Sequence, residues 1–396
     1  MINSRMDQIY SKVLEHIDIG DDMFNRAKKE YENFGNWLNK NATGDSYLVY
    51  PQGSFALGTV IRPISNSDDY DLDMVCELQN PCHVSARELK YSLKSHLLKY
   101  GPTIGEIEEK KRCWHVEYQH IPHFHMDVIP AASSEKFIMI TDHNEPLNTY
   151  RYLGSNPKGY REWFYRRSAP YREWVFTTDS AFAEYRNFGA DRRHVMDEAT
   201  LEKIKRQKIK TPLQKAIQIL KRHRDVMYES LEGRKDEKPI SIIITTIAAS
   251  LYNQESSIYE SLYNILNNAI PWIYSNVREG KFFIENPSYN GENFADKWND
   301  YPERARAFFE WVKRAKCDLI GAGLSALTRV EMGRHIRDIF GETTMRQIYE
   351  EKAKEDRNNI EINNLKIDSK TGNLSTLGVI SIPASHHYGN KSYNNE

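Results

Sequence analysis

Residues 47–78 read YLVYPQGSFALGTVIRPISNSDDYDLDMVCEL, and this stretch decides the fold. Its last nine residues, Tyr70 to Leu78, alternate cleanly. Leu72, Met74, Cys76 and Leu78 take one face of an extended chain, and Asp71, Asp73 and Glu77 take the other. That is the period-2 pattern of a half-buried strand. A short apolar run, Tyr47 to Tyr50, comes first, and Gly53-Ser54 and Gly58-Thr59 lie between the two. Small residues there let backbone N–H groups approach a phosphate, and the Ser54 hydroxyl adds a donor. Asp71 and Asp73 project together, within reach of one divalent cation; like charges held that close are costly without a cation or donor. Gly-Ser alone is usually a turn, and a lone Asp-x-Asp is usually an exposed strand face. In sequence, the two point to phosphate and metal.

Working outward, Ser85 and Glu88 make a capping box, followed by the stripe Leu89, Leu93 and Leu97 and a stop at Gly101. Strand candidates follow around Trp114–Tyr118 and Phe124–Ile129. Strand, helix, strand and strand in this order predict a mixed sheet covered by helices. Asp127 is the best third carboxylate, because Phe124, Met126 and Val128 point away from it; Glu77 and Glu117 are weaker substitutes. Two metals ~3.5–4 Å apart would activate an attacking hydroxyl and stabilise leaving pyrophosphate. Asp127 could take the hydroxyl proton.

Residues 6–40 read as one helix. From Thr211 the texture is helical, with Leu213, Ala216, Ile217, Leu220, Arg224 and Met227 on one side. At ~100° per residue Lys221 lies about 80° from Leu213, at the rim of that stripe. Pro239 opens the run ISIIITTIAASLY, whose length favours a buried helix over a strand. Further helices are expected over 258–266, 301–316 and 343–354. The remainder reads as a polar tail, in which Leu377, Val379, Ile380 and Ile382, ending in Pro383 and HHYG, could dock as a short strand. The domains expected are 1–200, a catalytic lobe with an N-terminal helix; 201–354, a helical lobe closing the cleft; and 355–396, the tail.

The 396 residues are 40% hydrophobic and 12% aromatic, which supports a large core and excludes wholesale disorder. Lys and Arg total 54 against 55 Asp and Glu, which argues against a dedicated nucleic-acid coat. Four cysteines without a Cys-x-x-Cys pair exclude a disulfide framework and a Cys-rich zinc module. No signal-peptide core opens the chain, and Pro239–Leu251 is too short to span a bilayer, so a soluble, cytoplasmic protein is expected. The basic run Lys203, Lys205, Arg206, Lys208 and Lys210 reads as a solvated linker or helix face. The pairs Trp163/Phe164 and Trp174/Phe176 read as core. His115, His120, His123 and His125 gather near Asp127; His123, His125 and Asp127 would share a strand face and could form a transition-metal site.

The motifs GSFALGTVIRP, DDYDLDMV and MDVIP resemble the DNA polymerase β-like nucleotidyltransferases. More narrowly the chain resembles the CD-NTases, bacterial relatives of cyclic GMP–AMP synthase and oligoadenylate synthase. The likeness continues through SNPKGYREWF (155–164), LQKAIQILKRHRD (213–225), PISIIITTIAA (239–249) and NPSYNGENFADKW (286–298). It implies an α+β, two-lobed enzyme with a mixed sheet in the catalytic lobe, a helical second lobe and an active cleft between them. Such enzymes use ATP and other nucleoside triphosphates with two Mg²⁺ ions, for which Mn²⁺ can substitute. They make cyclic di- or trinucleotides or short oligonucleotides as second messengers in anti-phage defence, acting on an operon-encoded effector. By resemblance Gly53 and Ser54 match the phosphate-contacting pair, Asp71, Asp73 and Asp127 the metal-binding and catalytic triad, and Lys221 and Ser241 two residues that meet the donor triphosphate. The scattered cysteines cannot build the zinc ribbon with which the animal enzyme grasps DNA. The tail is a candidate contact for a partner. The rival readings are a transferase adding nucleotides to RNA or protein, a hydrolase built on the histidine cluster, and a silent nucleotide-binding module.

Overall fold

The computed structural model describes residues 2–64, 70–101, 104–121, 123–169, 200–362, 366–367, 374–375 and 380–381. Trp174, Phe176, Leu377, Val379, Ile382, Pro383 and residues 386–389 lie outside them. Residues 1–341 form one compact unit and residues 342–396 another.

The single helix expected over 6–40 is two, α1 (Ile2–Ile17) and α2 (Asp21–Asn41). A tertiary contact overrides helix propensity here: Asp18 bridges to Ile61, its carbonyl accepts from Arg62 Nε at 2.8 Å, and its carboxylate takes Gln218 Nε2 at 2.9 Å and Lys210 Nζ. The basic run is therefore not a solvated face throughout. Arg206 also pairs with Asp21, and Lys210 is buried.

Seven strands build the sheet: β1 (Tyr47–Pro51), β2 (Tyr70–Leu78), β3 (Ile107–Glu109), β4 (Trp114–Glu117), β5 (Phe124–Ser133), β6 (Ile138–Asn144) and β7 (Thr149–Ser155). The order is β1-β2-β5-β4-β3, and β6 joins the far end of β5 and then pairs with β7. β2 and β5 run parallel and every other pair is antiparallel, so the sheet is mixed as expected. A parallel pair needs a crossover; α4 (Ala86–Tyr100) supplies it, with the Ser85–Glu88 capping box formed in both directions. Two short helices complete this part, α3 (Gly53–Leu57) after β1 and α5 (Pro157–Ser168) after β7.

Side-chain alternation then sorts the sheet. Leu72, Met74, Cys76 and Leu78 of β2, Trp114 and Val116 of β4, and Phe124, Met126 and Val128 of β5 are all buried under Phe34 and Leu38 of α2 and Leu89, Leu93 and Leu97 of α4. Asp71, Asp73, Asp127, His115 and His125 occupy the opposite face. There, Val75 and Ile129 belong to a smaller apolar cluster with Tyr50 and Ile140.

The α-helices between residues 210 and 341 are α6 (Pro212–Glu229), α7 (Ser241–Leu251), α8 (Ile258–Ser275), α9 (Asp296–Asp300), α10 (Pro302–Ile320) and α11 (Arg329–Phe340), with the hairpin β8 (Glu285–Asn286) and β9 (Tyr289–Asn293) inserted before α9. The apolar run after Pro239 is a helix, as its length predicts. α6 starts at a second reciprocal cap, Thr211 with Gln214, with Pro212 in its first turn. Its polar side chains are then spent on the chain that follows the Gly-Ser element. Gln214 Nε2 donates to the Leu57 carbonyl at 2.8 Å, Gln218 Nε2 to Val60 at 2.7 Å, Lys221 Nζ to Thr59 at 3.0 Å and Arg222 Nη2 to Arg62 at 2.6 Å.

The second unit holds α12 (Glu342–Glu361), which runs seven residues past the end expected at Lys354. It also holds three two-residue strands, Lys366–Ile367, Leu374–Ser375 and Ile380–Ser381, paired antiparallel. The stretch read as a structureless tail thus begins as helix, and Ile380 does enter a strand.

Candidate active site

The site starts where β1 hands over to α3. Gly53 sits at φ +60, and a Cβ there would overlap the Asp73 carboxylate. Only glycine meets both conditions without strain. Gln52 N donates to the Asp73 carbonyl at 2.9 Å, which clamps this turn to β2. Beyond α3 the chain reverses at Gly58, φ +67, and reaches Thr59, whose carbonyl holds Lys221.

These elements enclose a cavity of about 320 Å³, within the range of small-ligand pockets. Gly53, Ser54, Asp71, Asp73, Lys221 and Ser241 all line it. Six of the seven residues singled out in the sequence are thereby brought together. The seventh, Asp127, lies directly beside Asp73 in the β2–β5 register, and its Oδ1 is 2.9 Å from His115 Nδ1. The two substitutes drop out: Glu77 is buried against Lys158 at 3.2 Å, and Glu117 is exposed on β4.

The charges are unevenly held. Burial, then the Asp71 and Asp127 charges, push the Asp73 carboxyl well above the usual carboxylate range, with Lys221 pulling the other way. Lys221 is only 6% exposed, so it is not the rim residue that helical spacing alone suggests. Burial, followed by the Arg224 guanidinium, lowers its ammonium to about 8 against the pull of Asp71 and Asp73. Ser241 opens α7, and its Oγ accepts from Arg224 Nη1 at 2.9 Å, leaving the hydroxyl proton to donate. The bond to Asp127 raises the His115 pKa, opposed by burial.

Sequence reasoning missed a polar group on the opposite wall. Glu292 Oε2 accepts from Asn286 Nδ2 at 2.7 Å and Ser155 Oγ at 3.3 Å, and all three line the cavity with Arg112, Arg161 and Thr245. Burial raises the Glu292 pKa. Asn286 and Glu292 fall within the segment NPSYNGENF, but only the pairing of β8 with β9 turns them toward one another.

A mixed sheet carries paired carboxylates beside a Gly-Ser turn, with a helical lysine lining the same cavity, as the resemblance to polymerase β-like nucleotidyltransferases leads one to expect. Comparison narrows this. Residues 48–130 match the family described as cyclic GMP-AMP synthase DncV-like, nucleotidyltransferase domain. The chain is 28% identical over 326 residues to a c-di-GMP synthase of Roseivirga ehrenbergii, covering 78% of this chain and 77% of that protein. It is 22% identical over 305 residues to the cyclic dinucleotide synthase CdnG of Bradyrhizobium diazoefficiens, covering 74% and 70%. The structure of that CdnG with GTP superposes with a TM-score of 0.66 at 20% identity, covering 87% of this chain and 98% of the other. Escherichia coli CdnC with ATP gives 0.57 at 14% identity, over 86% and 98%. The chain is thus similar to cyclic dinucleotide synthases in sequence over about three quarters of its length, and to CD-NTases in fold.

The geometry makes a prediction about stability. A carboxyl with a raised folded-state pKa binds a proton more readily folded than unfolded, so above the unfolded value of about 3.9 its ionisation destabilises the fold. Asp73→Asn should therefore raise the melting temperature at pH 7, by ~1–2 °C for each kcal/mol relieved, and the gain should vanish below pH 4. Gly53→Ala should lower it, and Asp73→Ala should recover part of that loss in the double variant, because one of its two causes is the overlap with the carboxylate. Strict additivity in thermal unfolding would refute the contact.

Proposed function

We propose that this protein joins nucleoside triphosphates into a cyclic dinucleotide, releasing pyrophosphate at each transfer. The observation that carries the reading is the convergence of Gly53, Ser54, Asp71, Asp73, Lys221 and Ser241 on one cavity from four separate elements. Both curated relatives are named for cyclic dinucleotide synthesis, one of them for c-di-GMP, so GTP is the first substrate to expect, with ATP as the other.

In this reading Ser54 and the amides of the Gly53 turn bind the phosphates, Lys221 neutralises the triphosphate, and the Ser241 hydroxyl donates to it. Asp71, Asp73 and Asp127 would hold magnesium, or manganese in its place. The fit is supported by a donor set made wholly of hard carboxylate oxygens and by the crowding at Asp73, which a cation would relieve. Bound there, the ions supply charge stabilisation on the transferred phosphoryl group. Asp127 takes the proton of the attacking hydroxyl as its oxygen bonds to the α-phosphorus and the bond to pyrophosphate breaks. His115 orients that carboxylate. The wall of Ser155, Asn286 and Glu292 faces the same space and contributes polar contacts to a nucleotide.

The same reading divides the chain into a catalytic lobe over 1–200, a helical lobe over 201–354 and a tail over 355–396 that turnover does not need. It places the protein in the cytoplasm of a bacterium in anti-phage defence, its product acting on an operon-encoded effector. No described helix is long and apolar enough to cross a membrane. The CdnC of Escherichia coli has been solved with a HORMA partner, and a protein partner is proposed here too.

The direct experiment incubates the pure protein with all four ribonucleoside triphosphates and Mg²⁺ and resolves products by mass spectrometry. A phosphatase-resistant cyclic dinucleotide is expected, lost by at least ~100-fold in Asp71→Asn and in Asp127→Asn. A linear product, or one that requires added RNA or protein, would instead favour the terminal-transferase reading, and turnover at the wild-type rate in Asp71→Asn would end the proposal.

Lys221 gives a second test. Its ammonium meets phosphate charge already present in the ground state, so Lys221→Ala should raise KM about 10- to 150-fold, the worth of a charge-assisted bond of ~1.5–3 kcal/mol, with less effect on kcat. Because burial lowers this ammonium to about 8, wild-type KM should stay flat up to that pH and climb above it, while the alanine variant lacks the climb. An unchanged KM in the variant would remove Lys221 from the site.

A further inference from the structure

The sheet face that carries the catalytic carboxylates continues sideways into residues that nucleotidyl transfer leaves largely unused. Strand register sets Asp71 beside His125 and Asp73 beside Asp127, and across β5 it sets His115 beside Asp127. Asp127 therefore stands between two neighbours of opposite chemistry, a carboxylate on β2 and an imidazole on β4. It is bonded to the imidazole, at 2.9 Å. The His115 and His125 rings lie 4.1 Å apart between centroids. One ligand atom from each of His115, His125 and Asp127 lies within 4.8 Å of the others, and among the described residues no other such group of three exists. The three side chains are half-buried, so they are preordered by the sheet yet open to solvent. The sequence expectation of His123 in this set is corrected. His123 sits at φ +61, in the turn before β5 begins, and the second imidazole comes from β4.

Ligand atoms around a tetrahedral Zn²⁺ at ~2.0–2.1 Å are about 3.3 Å apart, which small side-chain rotations from this arrangement supply. Two imidazoles with one carboxylate suit zinc, cobalt, nickel or iron, whereas magnesium selects oxygen donors and keeps its waters. Resting on the proposed reading of Asp127, we propose that His115, His125 and Asp127 bind a transition-metal dication such as Zn²⁺, and that the bound ion withholds Asp127 from the magnesium site and so inhibits transfer. The imidazoles ligate as neutral groups, so the proton between His115 and Asp127 leaves when the ion enters. The enzyme then reads transition metal against magnesium through one shared carboxylate.

The test titrates Co²⁺ into the metal-free full-length protein without nucleotide and follows its visible ligand-field absorption. One equivalent is expected, displaced by Zn²⁺. His115→Gln/His125→Gln should weaken binding at least ~10-fold, and Asp71→Asn/Asp73→Asn should retain it. His125→Gln alone, read the same way, serves if the double variant does not fold. In the turnover assay with excess Mg²⁺, Zn²⁺ should inhibit wild type, and the histidine variants should need at least tenfold more Zn²⁺ for the same fractional loss of their own rate. Absorption lost in the aspartate variant but kept in the histidine variant would overturn the proposal, as would equal Zn²⁺ sensitivity in both enzymes. The binding arm needs no turnover, so failure of the proposed reaction with every metal would leave its outcome readable.

Discussion

Three carboxylates share one face of two neighbouring strands, and their mutual repulsion is the constraint around which this protein is built. Unit charges ~6 Å apart repel by roughly 3 kcal/mol at an effective dielectric constant of 20. Nothing in the local sequence relieves that; the opposite face of the same strand offsets it. Leu72, Met74, Cys76 and Leu78 alternate with the acids and are buried to 3% exposure or less, with Leu72, Met74 and Leu78 contributing ~1.5–3 kcal/mol each. Because side chains alternate, burying one set obliges the other to stand together. The same logic holds for Asp127 on β5, flanked by Met126 and Val128.

A second constraint ties this face to the helices. Gln214, Gln218, Lys221 and Arg222 fall at i, i+4, i+7 and i+8 on α6, one stripe of a helix. It is a polar stripe, and it is buried, because each member donates to a carbonyl between Leu57 and Arg62. Alongside its buried apolar residues Leu213, Ile217 and Leu220, this helix thus uses a polar stripe to grip backbone. The grip fixes where the Gly-Ser turn ends, and it places the Lys221 ammonium beside Asp71 and Asp73. Arg224 extends the arrangement to α7 through the Pro239 carbonyl and Ser241. The cavity is thus assembled in part by hydrogen bonds to main chain.

Much of this was legible in the residues themselves. The alternation of Tyr70–Leu78 located β2 to the residue, both the Ser85 cap and the run after Pro239 read correctly, and the Gly-Ser, Asp-x-Asp and Asp127 elements do meet. What escaped was set by partners distant in sequence. The break between α1 and α2 follows from Asp18 meeting Ile61, Lys210 and Gln218, none of them nearby. β6 buries Thr141 and Asp142 beside its apolar residues and β7 is largely half-exposed, so no period announces them. His115 could be matched to Asp127 only once the register of β4 on β5 was known. Lys221 looked like a rim lysine because helical angle gives direction and says nothing of what packs there.

The central claim is that Asp71 and Asp73 hold the ions and triphosphate on which transfer depends. Crystals grown with Mn²⁺ and a non-hydrolysable GTP analogue, measured for manganese anomalous scattering, test it most directly. The account predicts anomalous peaks against the Asp71 and Asp73 carboxylates, with the triphosphate between them, the Gly53-Ser54 turn and Lys221. Peaks confined to His115 and His125, or a triphosphate bound away from that turn, would contradict it.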